Sequence, residues 1–363
     1  MEKLKVAVLG ATGMVGRRFI TLLADHPWFE VACVAASARS AGRTYREAVK
    51  GRWDGKIALN DQIAALTVLD AIGDMDKIAG AVDFVFTAAE MDTKEETRAF
   101  EDAYALKEVP VVSNTSAHRM TPDVPMIIPE INDGHAEVIP HQRKRLGTKR
   151  GFVTVKPNCS IQSYIPALHP LHDFGVEKIV ACTYQAISGA SKTFDIWPEM
   201  VDNVIPYIGG GEEQKSETEP LKIWGSVKNG AIELAKSPVI SAQCYRVAAS
   251  DGHMAAVSVS FREKPGIDEI RARWDSYEGA AQKLQLPSAP KKFLTYFEEQ
   301  DRPQTKLDRD LYNGMGVSIG RLREDNIFDY KFVSLSHNTL RGAAGGAVLT
   351  AELLVKMGYI ARA

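Results

Sequence analysis

The apolar run Leu4-Lys-Val-Ala-Val-Leu9 leads directly into Gly10-Ala-Thr-Gly13-Met-Val-Gly16, and an amphipathic stretch follows. No other feature narrows the fold as much. A short, nearly continuous apolar run suits a parallel strand covered on both faces, and glycines at its end let the chain turn tightly into a helix. That helix is predicted from Met14 to Ala24, where Met14, Val15, Phe19, Ile20, Leu22 and Leu23 form one face beside Arg17, Arg18 and Thr21. Further strand-like runs at 29–36, 82–88, 109–113 and 126–128 are separated by charged, helix-favouring segments such as Lys94–Lys107. Alternation of this kind predicts an α/β fold with a Rossmann-type, doubly wound parallel sheet.

Beyond about residue 152 the pattern changes to longer runs of period two, such as Met254–Phe261, with fewer helices. Strands are expected at 176–187, 239–247, 254–261, 292–297, 316–322 and 329–335, forming a largely antiparallel or mixed sheet in a second, α+β domain. The predicted division is 1–152 for a nucleotide-binding domain and 153–337 for a catalytic and oligomerisation domain. A helix within 338–363 returns to complete the first. Pro287–Pro290 and Gly209–Gly211 mark loops.

A length of 363 residues accommodates two such cores without disulfide or metal staples. The 44 Lys+Arg against 46 Asp+Glu give a net charge of −2, which supplies no global field for nucleic acid or a membrane surface. One basic run, His141–Arg150, has no aromatic interleaving and reads as a solvated loop. The start lacks a signal-peptide pattern and no apolar stretch is long enough to span a bilayer, so a cytoplasmic protein is expected. Cys33, Cys159, Cys182 and Cys244 are scattered, with no C-x-x-C pair for a metal, and are expected as free thiols.

The glycine turn joins a strand to a helix, where free N–H groups and the helix dipole attract a pyrophosphate. Gly10, Thr12, Gly13, Met14, Val15 and Gly16 are therefore candidate nucleotide contacts, against the alternative of a tight turn with no ligand. The second strand ends Ala35-Ala-Ser37-Ala-Arg39-Ser40. An NAD site places a carboxylate there for the ribose 2′-hydroxyl, whereas a 2′-phosphate wants cations and hydroxyls. Ser37, Arg39 and Ser40 favour NADP(H).

Three residues stand out for chemistry. Cys159, in Lys156-Pro-Asn-Cys-Ser160, lies between the run 152–155 and a helix expected over 161–172. A thiol at that junction would feel the helix dipole, which lowers its pKa, although most cysteines are small buried hydrophobes. Cys33, Cys182 and Cys244 sit in apolar runs and are assigned to the core. His253 and Arg246 flank a turn between two expected strands and can face one cleft, the histidine suited to proton transfer and the arginine to a carboxylate, although taken alone His253 reads as a surface turn histidine.

Taken in order, Gly10–Gly16, Asn158-Cys-Ser160, Tyr184-Gln-Ala-Ile-Ser-Gly189, Arg246 to His253 and Asn338-x-x-Arg-Gly-Ala-Ala-Gly-Gly346 span the chain and resemble the aspartate-β-semialdehyde dehydrogenase family. Asp301-Arg-Pro-Gln and Gly320-Arg-Leu-Arg are similar to its archaeal and fungal branch, from which Thr305 and Ser191 depart. The resemblance implies NADPH-dependent reduction of aspartyl phosphate to aspartate semialdehyde, with release of phosphate, in lysine, threonine and methionine synthesis. It implies Cys159 as nucleophile, His253 as acid/base and Gln185 orienting a thioester. For the substrate it implies Arg246 on the α-carboxylate and Arg119, Asn158 and Lys215 on the phosphate. Glu212 would take the ammonium, with Glu213 as the alternative one position on. Ser188, Gly189 and Asn338 would be further cofactor contacts, and the assembly a homodimer or homotetramer. Two rivals are a reductase of acyl-CoA, such as malonyl-CoA, on the same scaffold and a non-catalytic nucleotide sensor.

Overall fold

In the computed structural model, which describes residues 2–53 and 57–363, the expected first strand is β1, Leu4–Leu9, with Val6 to Leu9 fully buried. Its partners are β2 (Phe29–Ala36), β3 (Val68–Asp70), β4 (Phe84–Thr87), β5 (Val111–Ser113) and β6 (Val153–Val155). They form a parallel sheet of order β3-β2-β1-β4-β5-β6. The order reverses between β1 and β4. Connections leave in opposite directions there and open a crevice at the carboxyl ends of the strands, the usual ligand position in such sheets.

The remaining strands are β7 (Val176–Gln185), β8 (Val204–Ile205), β9 (Ser226–Lys228), β10 (Ala231–Glu233), β11 (Val239–Val247), β12 (His253–Phe261), β13 (Leu294–Phe297), β14 (Val317–Glu324) and β15 (Tyr330–Ser336). All but the β9–β10 pair belong to a seven-stranded mixed sheet of order β13-β14-β15-β12-β7-β11-β8. Strand β12 alternates buried and half-buried residues throughout, and β7 alternates buried with more exposed ones from Ile179 onward. On β7, Ile179, Ala181 and Thr183 are buried while Val180 and Tyr184 are 41% and 38% exposed. One face thus packs inward, sharing a core with Leu9, Val85, Val111 and Val153 of the first sheet, and the other is open. Helices Met14–Leu23 and Gly345–Lys356 cover the far face of the first sheet, where Phe19, Ile20, Val348, Leu349 and Leu353 meet Phe84 and Phe86. Each such side chain contributes about 1.5–3 kcal/mol by burial. No helix among the described residues is long and apolar enough to cross a membrane.

Four expectations are corrected. The basic run is not a loop at its start: Ile139–Leu146 is a helix, with Pro140 in its first turn and Gly147 closing it in the left-handed conformation (φ +73°). Arg143 lies over the Phe152 ring and Arg145 pairs with Asp123. Residues 126–128 make only a single bridge, Met126 to Val155, because the segment turns away after one pairing. The helix expected over 161–172 is broken into a 3-10 turn Ile161–Ser163, one α-turn Ile165–Leu168 and a 3-10 segment His169–Phe174. Pro166 and Pro170 begin the second and third pieces, each lacking the N–H that would continue the preceding one. Cys182 is not a core residue, since its position on β7 puts it on the open face, half-exposed.

Candidate active site

Alternation and register assemble the second sheet's contribution. Gln185 ends β7 on its buried face, Arg246 pairs with it across the parallel β11, and His253 starts the antiparallel β12 one step beyond the Met254–Tyr184 pair. All three side chains point inward at one end of the sheet, 1%, 6% and 0% exposed. Arg246 Nη1 donates to the Ala186 carbonyl at 2.7 Å. The Ala186 N–H donates to His253 Nδ1 at 3.1 Å. Because that donor is a backbone amide, Nδ1 must hold its lone pair, and the neutral ring carries its proton on Nε2. Nε2 is buried and has no partner among the described residues. It lies beside Gly189, where a Cβ would come within 3.0 Å of it and 2.8 Å of Arg246 Nη1, so only glycine leaves room for this pair. Burial, and then the Arg246 charge, push His253 far below the usual imidazole value, which keeps it neutral.

Cys159 arrives from the first sheet, on the segment that follows β6. Its Cβ faces Gly342, where an added Cβ would lie 2.9 Å away. The thiol is pushed up from its ordinary value, first by burial and then by the Glu212 carboxylate, against the pull of Lys156, Arg119 and Arg246. The expected lowering by a helix dipole is therefore corrected. Only a 3-10 turn follows the thiol, and a single turn has little dipole to offer.

Helix Glu212–Ile223 brings the remaining charges. Gly211 enters it in the left-handed conformation (φ +69°), and Glu212, Ser216, Glu219 and Lys222 fall on one buried face. Pro220 cannot donate to the Ser216 carbonyl, and the Tyr164 hydroxyl takes that place at 2.9 Å. Glu212 Oε1 accepts from Asn158 Nδ2 at 3.0 Å and Gln185 Nε2 at 3.3 Å, while Oε2 lies 3.5 Å from Lys215 Nζ. Glu213 instead accepts the Cys244 N–H at 3.2 Å. Of the two neighbouring glutamates, only Glu212 shares the pocket with Asn158 and Gln185. Arg119 is held by Glu219 at 2.9 Å and the Lys156 carbonyl at 3.1 Å.

Cys159, His253, Gln185, Asn158, Arg119, Glu212, Lys215 and Arg246 thus gather where the two sheets meet. Sequence reasoning missed Lys156, Glu219 and Lys222, which are 2%, 2% and 1% exposed. Lys156 is pulled down to about 7, first by burial and then by Arg119. The only signal for Glu219 and Lys222 was their seven-residue spacing from Glu212 and Lys215, which repeats one helical face.

The nucleotide candidates form a second group. Gly10 has φ +79°, and a Cβ there would meet Ala88 C and Ala89 N at 2.9 Å. A Cβ on Gly16 would sit 2.1 Å from the Gly10 carbonyl oxygen. Gly13 caps helix Met14–Leu23 without any side-chain hydrogen bond, and Thr12, Met14 and Val15 flank it, half-buried. A cradle this close, with uncapped amides at the switch point of the sheet, fits a dinucleotide pyrophosphate. Ser37 and Ser40 close a turn after β2, Ser40 N–H to Ser37 O at 2.9 Å, with Arg39 exposed. Asn338 accepts the Gly252 N–H at 2.8 Å and donates to Ser188 Oγ at 2.9 Å. The segment Leu340–Ala344 touches both helix Met14–Leu23 and the turn after Cys159, and so links the two groups. Arg341 pins it through a bidentate contact to Glu130 at 2.9 and 2.8 Å.

The family model for the semialdehyde dehydrogenase NAD binding domain matches residues 5–139, and that for the semialdehyde dehydrogenase dimerisation domain matches 168–341. The aspartate-semialdehyde dehydrogenase of Aspergillus fumigatus is 42% identical over 99% of each chain. That of Methanothermobacter thermautotrophicus is 41% identical over 96% of this chain and 98% of its own. A crystal structure of aspartate semialdehyde dehydrogenase with NADP from Candida albicans superposes with a TM-score of 0.87 at 35% identity, covering 99% of this chain and all of that one. On full-length identity of this order, and on a shared fold, the chain belongs to the aspartate-semialdehyde dehydrogenase family.

Proposed function

We propose that the protein reduces L-aspartyl 4-phosphate to L-aspartate 4-semialdehyde with NADPH, reversibly, and releases inorganic phosphate. The observation that carries this is one pocket holding a thiol, a buried carboxylate and three cationic side chains. That set matches an acyl phosphate bearing an α-ammonium and an α-carboxylate. Arg246 is the partner for the α-carboxylate and Glu212 for the ammonium, while Arg119, Lys215 and Asn158 receive the phosphate.

In the forward direction the Cys159 thiolate attacks the acyl carbon, the C–O bond to phosphate breaks, and a thioester forms on Sγ. Lys156 favours the thiolate by its charge. Gln185 orients the thioester, and His253 Nε2–H donates to the acyl oxygen as negative charge grows there. Gly10, Thr12, Gly13, Met14, Val15, Gly16, Ser37, Arg39 and Ser40, with Ser188, Gly189 and Asn338, would hold NADPH, which when bound would supply the hydride that reduces the acyl carbon. The C–S bond then breaks, the carbonyl reforms as the aldehyde, and the thiolate is regenerated. Proton exchange at His253 Nε2 requires Nδ1 to release the Ala186 amide first.

The proposed division is 1–152 with 338–363 for the nucleotide and 153–337 for catalysis and assembly. A second copy of the chain, in a homodimer or in a homotetramer built on it, would cover the open face bearing Val180, Tyr184 and Tyr245. The protein would act in the cytoplasm. The test is a reductive assay comparing aspartyl phosphate, N-acetylglutamyl phosphate and malonyl-CoA, with NADPH and NADH. Turnover of aspartyl phosphate with NADPH is expected. Malonyl-CoA has no ammonium for Glu212, and a preference for it would replace this reading with that of the CoA-dependent reductase.

A further inference from the structure

Helix Glu212–Ile223 reaches past the pocket with two more charged side chains that the reaction above does not use. Glu219 accepts from Arg119 Nη1 at 2.9 Å through one oxygen and from the Asn158 N–H at 2.7 Å through the other. Lys222, three residues on, donates to the carbonyls of Arg119, Thr121 and Val124 at 2.7, 2.7 and 2.8 Å. Three carbonyls match the three N–H groups of an ammonium. One helix face therefore holds Arg119 at its guanidinium and at its backbone, and ties it to Asn158. Nη2 of Arg119 is left without a protein partner among the described residues.

We propose that Glu219 and Lys222 are positioning residues for phosphate: they fix Arg119 beside Asn158 so that its Nη2 edge is presented to the phosphoryl oxygens. The inference rests on reading the pocket as an acyl-phosphate site. A free arginine on a loop must surrender side-chain entropy when it binds, and one already clamped has surrendered it during folding. A carboxylate is needed because both of its oxygens accept. A glutamine in its place would turn an NH2 toward either Arg119 or the Asn158 N–H, and one of the two would be released.

The experiment uses the whole enzyme in the oxidative direction, with aspartate semialdehyde, NADP and inorganic phosphate. Phosphate-dependent turnover by the wild type tests the underlying reading, and its absence would count against that reading alone. Given that turnover, Glu219→Gln and Lys222→Met should each raise the KM for phosphate about tenfold, because a small misplacement of a binding group is felt steeply. The KM values for the aldehyde and for NADP should stay within about twofold, a split that general loosening of the fold would not produce. In an Arg119→Gln background, Glu219→Gln should add little. An unchanged or lowered phosphate KM, a parallel rise in all three constants, or an undiminished effect without Arg119 would each overturn the proposal. If Glu219→Gln fails to fold, Glu219→Asp and Lys222→Met report the same split. Failure of all three to fold would mark the residues as structural and overturn it as well.

Discussion

Cys159 lies in opposing fields, with burial and Glu212 against Lys156, Arg119 and Arg246, and the first two prevail in the free protein. Its thiol is therefore less ionised at neutral pH than a free cysteine, and alkylation by iodoacetamide should keep rising through pH 9 with no plateau near neutrality. Lys156→Met should slow that alkylation below about pH 7, where the lysine, held at about 7, still carries the charge that leads the groups favouring the thiolate. Cys159→Ala should abolish turnover while NADPH still binds, and full activity in that variant would end the thioester scheme. His253→Gln should leave substrate KM values near normal and lower kcat by about 100-fold, with an unchanged kcat counting against its contact with the acyl oxygen. Strand ends and turns mark Cys159, His253 and Arg246 locally, although a turn histidine by itself reads as a surface residue and only the family resemblance singles out His253. Lys156, Glu219 and Lys222 were not legible, because a charged residue reads as solvated until tertiary packing buries it.

Among elements, the glycine turn was fully legible, since strand, turn and helix constrain one another within twenty residues. The broken segment after Cys159 carried its own signal in Pro166 and Pro170, and apolar content outweighed it. Helix Ile139–Leu146 likewise shows proline at its start and glycine at its end, the signature of a helix in a run that charge alone marks as a loop. The turn after β2 makes a test at this scale. Arg39 is exposed there with no carboxylate nearby in sequence, so Arg39→Asp should raise the Kd for NADPH at least tenfold more than that for NADH. Equal changes in fluorescence titrations with the two nucleotides would remove Arg39 from the 2′-phosphate site.

The whole molecule titrates as well as folds. Burial holds His253 far below its ordinary value and takes His169 and His337 down to about 4. Their value in the unfolded chain is near 6.5, so below that pH the unfolded state binds protons that the fold refuses. Stability should hold above pH 6.5 and fall towards pH 4, by on the order of 3 kcal/mol for each of His169 and His337. Urea unfolding across that range checks it, and a flat profile would contradict it. At this scale the two kinds of sheet were legible from period and alternation. Strand order in the second was not, because β7 takes β12 and β11 as neighbours from far along the chain, and no local pattern encodes such pairing.

The segment that touches both the thiol and the nucleotide helix also governs when the enzyme can begin to work. Gly342 and Arg341, which clamps onto Glu130, are synthesised after every other residue of the pocket, and Val348, Leu349 and Leu353 later still. A ribosome-bound chain lacking them carries Cys159 without its facing wall and leaves Phe84 and Phe86 covered by Phe19 and Ile20 but without their C-terminal partners. The thiol therefore stays idle until Arg341 and Gly342 have been made. The same order leaves the first sheet half-dressed until helix Gly345–Lys356 follows.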